Sequence, residues 1–217
     1  AREGLTSPWV PLGGAGERAN APFIAVHIRR HPASSDTVLL LHGSGPGVSA
    51  FANWRLTIPH LEQEMTVIAP DIVGFGFTER PADVSYDLKT WTAHAVDVLD
   101  ALGVARTHIV GNSFGGALAL SLAAHHPNRV DRMVLMGTVG VSFGITRGLD
   151  AVWGYEPSVE NMRAIMEFFA YDKSLLGDDL AALRYHASIR PGVQEAFHAM
   201  FPEPRQAALD ALCLPED

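Results

Sequence analysis

The chain has 217 residues, 16 of them basic and 24 acidic, so its formal net charge is −8 with histidines neutral. It is 47% hydrophobic and 18% charged, a balance that excludes a disordered or fibrous chain and leaves ample apolar material for a core. The acidic excess excludes a general nucleic-acid binder, which needs a basic face to neutralise phosphates. The single cysteine, Cys213, excludes an intrachain disulfide and a cysteine-rich metal site and predicts a reducing, cytoplasmic location. No apolar run approaches the roughly 18 residues of a membrane span. The opening AREGLTSPWVPLGG lacks a basic stretch followed by an apolar one, so no secretory leader is expected.

Taken in chain order, the first thirty or so residues are poorly patterned, with a strand allowed at Phe23–Arg30. Apolar runs of strand length then alternate with helical patterns. Thr37–His42, Thr66–Asp71, Thr107–Asn112 and Arg129–Met136 read as strands apolar on both faces, which suits a parallel sheet covered by helices. Ala50–Glu64, Asp87–Leu102 and Phe114–His126 read as helices between them, with Val96, Leu99 and Leu102 on one stripe. This β-α alternation predicts an open α/β sheet. From Ile145 onward no run is strand-like. Helices are expected at Ser158–Ala170, Asp178–Ser188, Val193–Phe201 and Pro204–Leu212, with Ser158 as an N-cap. The chain therefore divides into an α/β core over residues 1–142 and a helical lid over 143–217. Ligands bind open α/β sheets at the carboxyl ends of the strands, so a lid laid there would enclose a site.

Gly111-Asn112-Ser113-Phe114-Gly115-Gly116 follows one strand and opens the next helix. G-x-S-x-G in this setting is the nucleophile elbow. A sharp, strained turn lifts the serine hydroxyl above the sheet, and side chains two residues either side would collide, which accounts for Gly111 and Gly115. The helix N-terminus adds free N–H groups and partial positive charge beside the hydroxyl. His42-Gly43-Ser44-Gly45-Pro46-Gly47 follows an earlier strand and can offer backbone N–H groups to a developing oxyanion. In this architecture one donor is the residue after the serine, here Phe114, and the other comes from this loop, here Ser44. No clustered ligand set marks a metal, and HGSGPG lacks the Lys-Ser/Thr ending of a phosphate loop.

LLLHGSGPGVSAFANWRLTIP, VIAPDIVGFGFTERP, HIVGNSFGGALAL and RVDRMVLMG resemble the α/β-hydrolase fold, and within it the meta-cleavage product hydrolases. GLDAVWGYEPSVENMR, FFAYDKSLL, LRYHAS and MFPEPRQ are similar to the branch acting on products from phenols and monoalkylbenzenes. The resemblance runs from about Val38 to Leu212. It implies a serine-type hydrolase of aromatic catabolism that cleaves a C–C bond. A 2-hydroxy-6-oxo-dienoate and water would give 2-hydroxypenta-2,4-dienoate and a carboxylic acid, with no cofactor. Ser113 matches the family serine, which either forms an acyl-enzyme or orients a water. Ser44 and Phe114 match its oxyanion donors. Asn53, Asn112 and Arg184 match groups that hold the substrate carboxylate, and a guanidinium grips a carboxylate at two points. Phe169 and Trp153 are expected to line the apolar end of the pocket. Members of the family commonly self-associate, so a homo-oligomer is compatible with the resemblance.

The fold's triad runs in the order Ser, Asp/Glu, His. The histidines after Ser113 are His125, His126, His186 and His198; they fall in helical stretches and match no family base. His42 belongs to the oxyanion loop. Neither the triad acid nor its base is assigned within this chain, and the last core strands and helices are expected to be missing from it. Taken alone, the chain is expected to be inactive, with Arg129–Met136 left as an exposed apolar edge. Two other readings remain: a carboxylesterase or lactonase on the same fold, and a non-catalytic binding protein on a hydrolase scaffold. A haloalkane dehalogenase would carry Asp where Ser113 stands.

Overall fold

The computed structural model describes residues 24–214. A five-stranded sheet runs in the order β1-β3-β2-β4-β5. Its strands are β1 (Val26–Arg29), β2 (Thr37–Leu41), β3 (Thr66–Pro70), β4 (Thr107–Asn112) and β5 (Val130–Met136). β1 pairs antiparallel with β3; the other pairings are parallel. The four apolar runs read from the sequence are thus β2 to β5. The first expected strand shortens to β1, and its proposed start at Phe23 lies outside the described residues.

Alternation along β2 sorts its side chains between two cores. Leu39 and Leu41 join the larger cluster, with Ile68 of β3 and Ile109 of β4. Val38 and Leu40 face the other way, where Val67, Ala69, Trp54 and Ile58 close a smaller cluster. Two short helices cover that second face, α1 (Ala50–Trp54) and α2 (Ile58–Leu61). The single helix expected over Ala50–Glu64 is therefore broken. Pro59 has no N–H and blocks the turn before it, so it is tolerated only in the first turn of a new helix, where it sits.

On the larger face, α3 (Leu88–Ala101) starts at Asp87, whose carboxylate accepts from the Thr90 N–H at 2.7 Å. Its buried stripe is Trp91, Ala95, Val98 and Leu99, with Val96 and Leu102 at its margin. It packs on α4 (Phe114–His125), where the hydroxyls of Thr92 and Ser121 are hydrogen-bonded at 2.8 Å. α4 is apolar all round because strands and helices surround it.

After β5 come α5 (Arg147–Trp153), α6 (Val159–Phe169), α7 (Asp178–Ser188), α8 (Val193–Met200) and α9 (Arg205–Asp210). Ser158 caps α6 as expected, accepting from the Asn161 N–H. α5 carries no sequence expectation; Thr146 caps it by accepting from the Leu149 N–H. Trp153, Tyr155, Met162, Ile165, Phe197 and Phe201 belong to the same buried cluster as Leu39 and Phe114, so these helices share the core of the sheet. The excursion closes on itself: the Leu214 N–H donates to the Gly140 carbonyl at 3.4 Å. Among the described residues β5 has no neighbour on its outer side, and Val134, Leu135 and Met136 are exposed, matching the apolar edge expected there.

His42, Asp71 and His94 are buried within this frame. His42 Nε2 accepts from the Ile72 N–H at 3.0 Å, so Nδ1 carries the proton and donates to the Gly43 carbonyl at 2.7 Å. Asp71 accepts from the N–H groups of Ala50 and Phe77 at 2.6 and 2.8 Å. His94 on α3 has neither ring nitrogen hydrogen-bonded among the described residues. Burial lowers the pKa of both histidines to about 4, with His42 itself disfavouring charge on His94. Burial raises Asp71 to about 6 against the pull of its two N–H donors and of Arg190 and Arg80.

The signs are opposed. Between pH 6.5 and about 4 the unfolded chain protonates both histidines while the folded chain does not, so their contribution to stability is lost as pH falls. Between about 6 and 3.8 the folded chain holds the Asp71 proton that the unfolded chain releases, so stability rises as pH falls. Two histidines outweigh one aspartate, so the net effect is a loss of stability as pH falls through about 5. His27, lowered by partial burial and Arg29, adds to the loss. Urea melts between pH 7 and 4.5 should show this decline, and His94→Leu should flatten it by removing one of the two buried histidines. An unchanged slope in that variant would contradict the account.

Candidate active site

The carboxyl ends of β2 and β4 lie side by side, with Leu41 registered against Gly111. The turns leaving them carry the two glycine-rich motifs. Ser113, between β4 and α4, has φ 51° and ψ −113°, and it is the one non-glycine with positive φ among the described residues. That strain is held from below: the Ser113 N–H donates to the Met136 carbonyl at 2.8 Å, and its carbonyl accepts from Gly116 at 2.9 Å. A Cβ on Gly111 would lie 2.6 Å from the Gly115 carbonyl oxygen, and one on Gly115 would run into the Leu41 carbonyl. The glycines of the motif therefore set how closely α4 approaches β2. The Ser113 hydroxyl is half-buried and has no hydrogen-bond partner among the described residues.

Around it the structure gathers most of the residues picked out by sequence. Gly43 lies against the elbow: a Cβ there would be 3.3 Å from Asn112 Nδ2 and 3.6 Å from Ser113 Cβ. Asn53 Oδ1 accepts from the Gly43 N–H at 3.1 Å and from Asn112 Nδ2 at 3.0 Å. Asn53 and Asn112 thus meet beside Ser113, and one amide oxygen pins the HGSGPG loop to the elbow. No carbonyl among the described residues accepts from the backbone N–H of Ser44 or of Phe114. Both donors are unspent next to an unpaired hydroxyl, an arrangement suited to a carbonyl that acquires negative charge on attack.

Arg184 lies on α7, and the charge of Arg55, two residues beyond Asn53, reaches it. Partial enclosure and the Arg55 charge both lower its pKa. Neither guanidinium pairs with a carboxylate among the described residues. Two such cations without an acid favour an arriving anion. Trp153 is buried, and its indole donates to Ser44 Oγ at 2.9 Å. Phe169, paired with it in the sequence reading, ends α6 and is 54% exposed.

No histidine among the described residues hydrogen-bonds to Ser113. His42 is consumed by its two backbone contacts, His125 turns back on the Ser121 carbonyl, and His198 lies 3.9 Å from Glu156. Sequence reasoning missed Asp71, which ties the start of α1 to the loop after β3. Its signal was a charged residue at the end of an apolar strand. It also missed Tyr155 and Ser188, whose hydroxyls are 3.1 Å apart. Among the described residues no cluster of three or more His, Cys, Asp or Glu could hold a metal ion, and no helix is long and apolar enough to cross a membrane.

The chain is similar to known proteins. Residues 36–207 match the alpha/beta hydrolase fold family. A 2-hydroxy-6-oxo-2,4-heptadienoate hydrolase of Pseudomonas putida is 61% identical over 82% of this chain and 65% of its own length. A 2-hydroxymuconate semialdehyde hydrolase of a Pseudomonas species is 58% identical over 82% of this chain and 63% of its own. The chain thus spans somewhat less than two thirds of these curated relatives. Among solved structures, a meta-cleavage product hydrolase of Pseudomonas fluorescens (CumD) superposes with a TM-score of 0.87 at 55% identity, over 89% of this chain and 70% of that one. A 2-hydroxy-6-oxo-6-phenylhexa-2,4-dienoate hydrolase of a Rhodococcus species gives 0.82 at 30%, over 95% and 74%. The central parallel sheet, the strained serine turn and these likenesses agree: the chain belongs to the alpha/beta hydrolase fold family, on its meta-cleavage product hydrolase branch.

Proposed function

We propose that the protein to which this chain belongs hydrolyses a C–C bond in a 2-hydroxy-6-oxo-dienoate, releasing 2-hydroxypenta-2,4-dienoate and a carboxylic acid. The observation that carries the reading is the unpaired Ser113 hydroxyl on its strained turn, flanked by the unspent N–H groups of Ser44 and Phe114. In this reading Ser113 is the nucleophilic centre, attacking the C6 carbonyl or orienting the water that does. Ser44 and Phe114 stabilise the oxyanion. The carboxylate end of the dienoate is met by Arg184, with Asn53 and Asn112 fixing its approach. The unneutralised pair Arg184 and Arg55 supports an anionic substrate over a simple ester. Residues from 143 onward act as a lid over the strand ends, with Trp153 and Phe169 against the apolar end of the substrate. The general base and its acid are not assigned among the residues of this chain. The reaction needs water and no cofactor, and the single cysteine suits the cytoplasm.

The test is turnover by the full-length protein, followed as loss of the conjugated dienolate chromophore. Ser113→Ala should lower kcat about a thousandfold or more while the protein still binds the dienoate. Hydrolysis of p-nitrophenyl esters with no dienoate cleavage would move the assignment to an esterase or lactonase. Arg184→Gln should raise KM for the dienoate about tenfold or more, since it removes a charge-assisted contact made before and during reaction. The same change should leave the KM of an uncharged ester alone; an equal effect on both substrates would remove Arg184 from carboxylate recognition.

Asn53 separates scaffold from substrate contact. Asn53→Ala strips the acceptor from the Gly43 N–H and from Asn112, with an expected loss of about 1–2 kcal/mol in denaturant melts. Asn53→Asp keeps both acceptor bonds and should keep stability within about 0.5 kcal/mol. It also places a negative charge beside the carboxylate site, and should raise KM for the dienoate. A destabilised Asn53→Asp variant would show that the amide's N–H₂ end also holds the fold.

A further inference from the structure

We propose that Trp153 is a positioning residue: its indole N–H occupies the oxygen of the Ser44 hydroxyl and so commits that hydroxyl's single proton to an acceptor arriving beside Ser113. The proposal deepens the reading above and rests on it for the identity of that acceptor.

An indole nitrogen donates and cannot accept. In the 2.9 Å contact between Trp153 Nε1 and Ser44 Oγ the serine is therefore the acceptor. Ser44 is 5% exposed, and among the described residues nothing takes its proton. A buried hydroxyl with its oxygen engaged and its proton ungiven is a costly arrangement to leave without a partner. Its preceding residue, Gly43, lies against Ser113 and Asn112. The group that brings an acceptor there is the attacked carbonyl, whose oxygen gains charge as the reaction proceeds. The Ser44 hydroxyl then adds a side-chain donor to the backbone N–H groups of Ser44 and Phe114.

The donor itself is fixed in place by packing. Trp153 is 1% exposed and stacks on Phe201 with ring centroids 4.4 Å apart and planes 10° from parallel. The far end of the same loop is held by the same helical layer. Gly47, at φ 70°, would put a Cβ 2.5 Å from the Ser188 backbone nitrogen, and the Ser188 hydroxyl is 3.1 Å from that of Tyr155. Trp153 and Tyr155 thus reach the two ends of the HGSGPG loop, one directly and one through Ser188. The loop's donors are aimed by residues that follow it by more than a hundred positions.

The test is a double-mutant cycle in the full-length protein. Trp153→Phe keeps a ring against Phe201 and removes the N–H. On a 2-hydroxy-6-oxo-dienoate it should lower kcat about tenfold with KM within about twofold. In a Ser44→Ala background the same change should alter kcat by less than about twofold. A Trp153→Phe loss equally large in both backgrounds reduces Trp153 to packing and overturns the proposal. The cycle is run in parallel on a p-nitrophenyl ester, whose tetrahedral oxyanion needs the same donor. Loss of dienoate turnover alone then refutes the substrate assignment, while the ester cycle still decides the role of Trp153. Turnover of neither substrate by the unaltered protein overturns both. A readout without catalysis is the Trp153 indole proton in ¹⁵N-resolved NMR. It should be protected from exchange, and Ser44→Ala should shift it and lower its protection; an indole proton indifferent to Ser44→Ala also overturns the proposal.

Discussion

Where α4 meets the end of β2 there is no room for a side chain, and the rest of the site follows from that. A Cβ on Gly115 would enter the Leu41 carbonyl, so the helix can close on the strand only with hydrogen at that position. Close approach brings the turn of β4 beside the turn of β2, and two loops distant in sequence become one surface. The left-handed backbone of Ser113 is the local expense of the same constraint. It is offset by the Met136 and Gly116 contacts and by the apolar burial of α4 among Leu118, Ala119 and Leu122.

Much of this was legible in the chain. Strands β2 and β3 announced themselves as apolar runs because strands buried on both faces cannot alternate with polar residues; β4 and β5 carry the same apolar signal, although β5 is largely exposed. The helix starts at Asp87 and Ser158 were legible because a capping side chain acts within three residues of itself. The serine motif was legible because its glycines answer to sterics two residues away. What escaped has a common cause: it depends on neighbours that no local pattern encodes. The contact of Trp153 with Ser44 spans 109 positions. An aromatic in the later helices reads as core, and Trp153 is core; that its one polar atom also serves the loop is visible only in three dimensions. Ala50–Glu64 looked like one helix because the apolar spacing carries across Pro59, while the backbone does not.

The buried polar groups fall into two kinds. His42 and Asp71 are satisfied and act as rivets. His42 locks the end of β2 to Ile72, and Asp71 joins the start of α1 to the loop at Phe77. Each uses a side chain to satisfy backbone N–H groups that the turns leave without a carbonyl. His94 has no such work among the described residues and contributes only its ring to packing. Rivets of this sort explain how loops rich in glycine, which lose the most entropy on ordering, hold one shape at the strand ends.

The contact between Gly140 and Leu214 has a further meaning. The whole stretch between them leaves the sheet and returns to the place it left. A detour of that form has joined ends and imposes nothing on strand order or register, and closing a longer loop adds little, since the entropic term grows only with the logarithm of length. Such a stretch is a cassette. Its length is set independently of the register of the sheet beneath it. Its attachments limit its exchange here: the indole on Ser44, the backbone of Ser188 against Gly47, the Arg190 guanidinium on the Gly76 carbonyl, and the apolar core shared with the sheet. A transplanted cassette that omits the first two would fit the sheet and leave its loop unaimed.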